Sequence, residues 1–96
     1  MIYNMEELKE RLIPVLRERG VRSAVLFGSY SKGEADEKSD VDLLVDSGLR
    51  GFKFIGLAND IEAALGKAVD VFDVTHIKPE SRMETEIRNS GVRIYG

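Results

Sequence analysis

Two short apolar runs, Ser23-Ala-Val-Leu-Phe-Gly28 and Ser39-Asp-Val-Asp-Leu-Leu-Val-Asp46, are separated only by residues 29–38. Each run has the length and β-branched character of a buried strand. A parallel pair needs a crossover of roughly a dozen residues or more, usually a helix. The polar link between these runs, rich in small residues, reads as a turn with at most one helical turn. The two strands are therefore expected to pair antiparallel.

Strands alternating with helices account for the rest of the chain. Met5, Leu8, Leu12, Val15 and Leu16 recur at helical spacing, with Asn4 and Glu7 placed for a capping box and Gly20 for the stop. Pro14 inside this segment predicts a kink or a split. A second helix is expected from Phe52, with Phe52, Ile55, Ala58, Ile61 and Leu65 on one face and Gly66 as its end. Ala68 to Val74 reads as a third strand. Pro79 fits the first position of a last helix carrying Met83 and Ile87 on one face, and Val92–Tyr95 a short extended edge. The order α-β-(turn)-β-α-β-α predicts an α/β (α+β) fold, a small mixed β-sheet flanked by helices.

A chain of 96 residues with 43% apolar and 32% charged residues is expected to form a single domain over residues 1–96. Its net charge of −3 argues against broad phosphate contacts, so nucleic acid is not expected as a direct partner. Cysteine is absent, which excludes disulfides and thiolate metal sites and suits a cytoplasmic setting. The charged N-terminus does not read as a signal peptide, and no apolar run approaches the ~20 residues needed to span a membrane.

The unusual feature is acid inside apolar runs. On a strand, residues i and i+2 share a face, so Asp40 and Asp42 point one way while Val41, Leu43 and Val45 point the other. Like charges this close raise each other's pKa unless a cation lies between them. Hard oxygen donors favour Mg²⁺ or Mn²⁺, and a pair of ions about 3.5–4 Å apart suits phosphoryl-type transfer. Asp70 and Asp73 in the third strand lie three residues apart and face opposite sides. Only one can join the first pair, and parity does not say which; Asp73 reads better as a strand-end residue. Asp46 has the right parity but lies at its strand's end and reads as solvated.

Gly28-Ser-Tyr-Ser-Lys-Gly33 follows a strand directly. A small-residue turn there exposes backbone N–H groups, which suits phosphate; Gly28 allows close approach, Ser29 offers a hydroxyl and Lys32 a charge. A Walker A loop is excluded because Glu34 stands where its lysine should be. A phosphate-holding turn followed by a metal-binding carboxylate pair describes a nucleoside-triphosphate site, with a third carboxylate as general base or metal ligand.

Gly28-Ser29, ten intervening residues and Asp40-Val41-Asp42 resemble the signature of the minimal nucleotidyltransferases of the polymerase-beta-like superfamily. Ser39 before the first aspartate also fits. The resemblance spans almost the whole chain and places the family's third aspartate on Asp70. It implies a nucleotidyltransferase fold, catalysis and metal binding by Asp40, Asp42 and Asp70, and nucleotide binding by Gly28, Ser29, Lys32 and Ser39. It further implies transfer of AMP from ATP, with two Mg²⁺ ions, to a tyrosine hydroxyl of a HEPN ribonuclease toxin, the chain acting as antitoxin in a hetero-oligomer. Tyr30 departs from the family, where many members carry arginine after Gly-Ser. Two other readings compete: a module that neutralises a toxin by masking it, and a phosphatase of the haloacid-dehalogenase kind, for which the chain is short. His76 and the Arg17-Glu18-Arg19 run read as surface, and Tyr3 and Tyr95 as packing or partner contacts.

Overall fold

The computed structural model describes residues 2–96. Helix α1 spans Met5–Glu18, β1 Ser23–Phe27, β2 Val41–Asp46, α2 Phe52–Leu65, β3 Val69–Asp73, α3 Arg82–Ser90 and β4 Val92–Tyr95, with a 3₁₀ turn at Val74–His76. The sheet order is β3-β2-β1-β4. As the short link requires, β1 and β2 are antiparallel, β4 adds antiparallel to β1, and β2 pairs parallel with β3 across α2. The sheet is mixed.

One sheet face is the core. Ala24, Leu26, Val41, Leu43 and Val45 meet Leu8, Leu12 and Leu16 of α1 and Leu57, Ile61 and Leu65 of α2, all but fully buried. The two helices are tied across their outer edges by Arg19 and Asp60 at 2.6 Å, so Arg19 is not simply solvated. Tyr3 is buried and its hydroxyl donates to the Leu65 carbonyl. The capping box on Asn4 and Glu7 is formed. Pro14 neither splits nor ends α1. It lies on the exposed face with Glu10, so the carbonyl deprived of its partner meets water.

The buried face of α2 and the start of α3 differ from expectation. The buried stripe of α2 is Leu57, Ile61 and Leu65, with Phe54 packed beside it; Phe52 is 92% and Ile55 53% exposed. The first turn of this helix carries them outward, off the sheet. The last helix starts at Arg82, not Pro79, because Ser81 caps it through a hydrogen bond from the Glu84 N–H.

Asp73 is also not a plain strand end. It is 3% exposed and accepts hydrogen bonds from the Ser47 N–H (3.0 Å) and hydroxyl (2.6 Å), and from the Thr75 N–H (3.1 Å) and hydroxyl (2.8 Å). It thereby ties the end of β2 to the end of β3. The exposed His76 completes the turn, its Nδ1 accepting from the Asp73 N–H. Burial raises the Asp73 pKa, but the bonds from Ser47 and Thr75 outweigh it and hold it at about 2. A carboxylate with a folded pKa below its unfolded value stabilises above the unfolded value and loses this as pH falls through the folded one. Stability is expected to drop by about 2 kcal/mol between pH 4 and pH 2 through this residue. Urea titrations across that range check it, and Asp73→Ala should flatten this acid limb.

Candidate active site

The second face of the sheet carries the acids. Asp42 is the second residue of β2 and lies opposite Asp70 in the parallel register with β3. Register thus settles what parity leaves open: Asp70 joins Asp42, and Asp73 does not. The Asp42 and Asp70 side chains are close enough to share a hydrogen bond. Asp40 lies just before β2, exposed, and acts on Asp42 only as a neighbouring charge. Asp46 is half-exposed and pairs with Arg22 at 3.2 Å.

On its other side β2 pairs Asp42 with Phe27, the last residue of β1. Gly28 follows, with φ +75°, and a Cβ built there would overlap Asp42 Oδ2. Glycine is required twice, for the left-handed backbone and for the space the carboxylate occupies. Residues 28–33 form a compact turn: the Lys32 N–H and the Ser31 hydroxyl both donate to the Gly28 carbonyl, and the Glu34 N–H to that of Ser29. Ser29 is half-buried. Ser39 lies in the following loop, where its hydroxyl accepts from the Asp36 N–H at 2.9 Å and closes the 36–39 turn.

Three participants came from outside the motif. Glu86 of α3 lines a cleft with Asp42, adds to the charge felt by Asp42 and pairs with Lys32 at 3.3 Å. Arg82, one helical turn earlier, lines an open cleft of about 360 Å³ with Asp42, Phe27, Phe72, Met83 and Glu86. Lys67 donates to the Tyr30 hydroxyl at 2.7 Å. The detectable signal for Glu86 was its place between Met83 and Ile87, on the rim of an apolar helical stripe. Tyr30 is a core residue, 7% exposed, which explains an aromatic at that position.

The electrostatics follow from crowding. Burial first, then the Asp70 charge, Glu86, the hydrogen bond with Asp70, and Asp40 raise the Asp42 pKa to about 6. Such a pair needs a proton or a cation between its oxygens. Among the described residues no three histidine, aspartate or glutamate side chains form a ready metal cage. Mg²⁺ does not need one, since it is held by one or two carboxylates together with waters and substrate phosphates. The all-oxygen pair of Asp42 and Asp70 fits that requirement.

A sequence model of the family described as "Polymerase beta, Nucleotidyltransferase" matches residues 10–96. A Methanocaldococcus jannaschii protein inferred to be a protein adenylyltransferase is 40% identical over 78 residues, 79% of this chain and 84% of that protein. The protein adenylyltransferase MntA of Thermococcus cleftensis is 50% identical over 68 residues, 66% of this chain and 67% of its own. Among solved structures, the crystal structure of a toxin–antitoxin with AMP-PNP superposes with a TM-score of 0.78 at 26% identity, over 92% of this chain and 73% of that one.

Two outcomes test the geometry. Gly28→Ala should displace Asp42 and lower stability by more than the ~1 kcal/mol of a left-handed non-glycine residue alone, read by chemical denaturation. In chelator, a carboxylate whose folded pKa exceeds its unfolded value costs stability once both states ionise. Stability should fall by about 1 kcal/mol as pH rises from 4 to 6, after discounting for partial exposure. Asp42→Asn should remove that fall and melt higher than the parent at pH 7.

Proposed function

Since this chain belongs to the polymerase beta nucleotidyltransferase family, we propose that it is a Mg²⁺-dependent protein adenylyltransferase. It moves AMP from ATP to a tyrosine hydroxyl of a HEPN ribonuclease toxin and so acts as that toxin's antitoxin, in a hetero-oligomer. The observation that carries this is the Asp42–Asp70 pair packed beside the Gly28 turn, with the Asp42 pKa raised to about 6. The matched relatives are protein adenylyltransferases by name, and the matched complex is a toxin–antitoxin with an ATP analogue.

In this reading the turn at Gly28 and Ser29 receives the triphosphate, with the Ser29 hydroxyl as donor. Asp42 and Asp70 would hold Mg²⁺, and Asp40 at the entrance to β2 would serve a second ion. When bound, Mg²⁺ neutralises phosphate charge and polarises the α-phosphate. The tyrosine oxygen forms a bond to the α-phosphorus, the bond from that phosphorus to the bridging oxygen breaks, and pyrophosphate leaves with the electron pair. The phenolic proton passes to a carboxylate, for which exposed Asp70 is the accessible choice. Lys32 adds charge to the phosphates once it leaves Glu86, and Ser39 acts at a distance, by shaping the loop that delivers Asp40. No described helix is long and apolar enough to cross a membrane. We place the protein in the cytoplasm, as one domain over residues 1–96, where ATP, Mg²⁺ and an intracellular toxin meet.

Incubation with ATP, Mg²⁺ and the toxin of the neighbouring reading frame should increase the toxin's mass by whole AMP units. Asp42→Asn should cut the rate by roughly 100-fold or more while the chain stays folded; undiminished transfer overturns the assignment. Masking without catalysis is the second reading, favoured by the exposed Phe52, Ile55 and Val74. Rescue of growth by Asp42→Asn would select it.

A further inference from the structure

The site is short of positive charge. Asp40, Asp42, Asp70 and Glu86 all act on one small region, and a nucleoside triphosphate would bring several more negative charges. Bound Mg²⁺ offsets part of this; the protein must supply the rest. Among the described residues, two side-chain cations line the clefts beside Asp42, namely Lys32 and Arg82. They are not equivalent. Lys32 lies 3.3 Å from Glu86 and must leave that pair before it can meet a phosphate. Glu84, the other acid of this helix, is taken by Arg88. Arg82 has no ion-pair partner among the described residues, although carboxylates surround it.

Its position is distinctive too. Arg82 and Glu86 are shared by the cleft that holds Asp42 and by a larger one of about 640 Å³ that holds Lys32, Thr85 and Asn89. Arg82 therefore borders both the cleft of Asp42 and the cleft of Lys32, along which a chain of phosphates would run. Tyr30 cannot serve there, because it is buried and its hydroxyl is bound by Lys67. A planar guanidinium matches phosphate oxygens two at a time, which an ammonium does not.

Resting on the nucleotide-transfer reading, we infer that Arg82 grips the polyphosphate of the incoming nucleotide and is a principal source of its affinity. The test is calorimetric titration of the full chain with AMP-PNP and Mg²⁺. Arg82→Ala should weaken binding roughly 10- to 100-fold, the range for a charge-assisted pair, and raise KM for ATP by more than it lowers kcat. Arg82→Lys should recover part of the loss, which a merely structural role would not predict. Arg88→Ala should bind like the parent. Circular dichroism melts should coincide, since Arg82 is exposed. Parent-like AMP-PNP affinity in Arg82→Ala overturns the inference and leaves the enzyme assignment intact. A parent chain that binds no AMP-PNP overturns the assignment and this inference with it.

Discussion

The parallel register of β2 on β3 is the constraint on which the chemistry of this chain depends. It sets Asp42 against Asp70, while the antiparallel register on β1 brings Gly28 beside the same carboxylate. The register is locked from the opposite face. Val41, Leu43 and Val45 are fully buried under α1 and α2, and a slip of one residue would exchange them with the acids. Packing on one side of a strand thus aims charge on the other. Burial of those three side chains outweighs the repulsion it imposes on Asp42.

That repulsion is a functional property held in the fold. A carboxylate lifted to a pKa of about 6 favours a proton or a metal between the strands, and a site with unmet charge is commonly bought with stability. Around the rigid sheet lie elements of a different kind. The glycine turn and α3 are joined by the ion pair of Lys32 and Glu86. Both side chains are partly exposed, so that pair is weak and is readily exchanged for contacts with a ligand. The far end of β2 is secured differently, by the four hydrogen bonds that the Asp73 carboxylate accepts.

Much of this was written locally in the chain. The Asn4–Glu7 capping box, the stop of α2 at Gly66, the buried strands and the antiparallel first pair follow from short-range patterns, because capping, glycine backbone freedom and strand parity act within a few residues. The acids inside apolar runs and the glycine before Ser29 were visible for the same reason. What a local pattern could not supply was choice among equals. Pro79 suits a helix start by its fixed backbone, but the Ser81 cap hydrogen bond starts the helix at Arg82. Spacing put Phe52 on the buried stripe of α2, and only the docking of the helix on the sheet turned Leu57 inward and left Phe52 exposed. Asp70 and Asp73 differ by parity alone, and register assigned one to the site and the other to a structural tie. Glu86, Arg82 and the Lys67–Tyr30 bond reach their places across long stretches of chain. The sequence by itself determined the elements and which residues carry charge into them; the tertiary structure decided which charges meet, since strand register and helix docking are contacts between distant segments that no local spacing encodes.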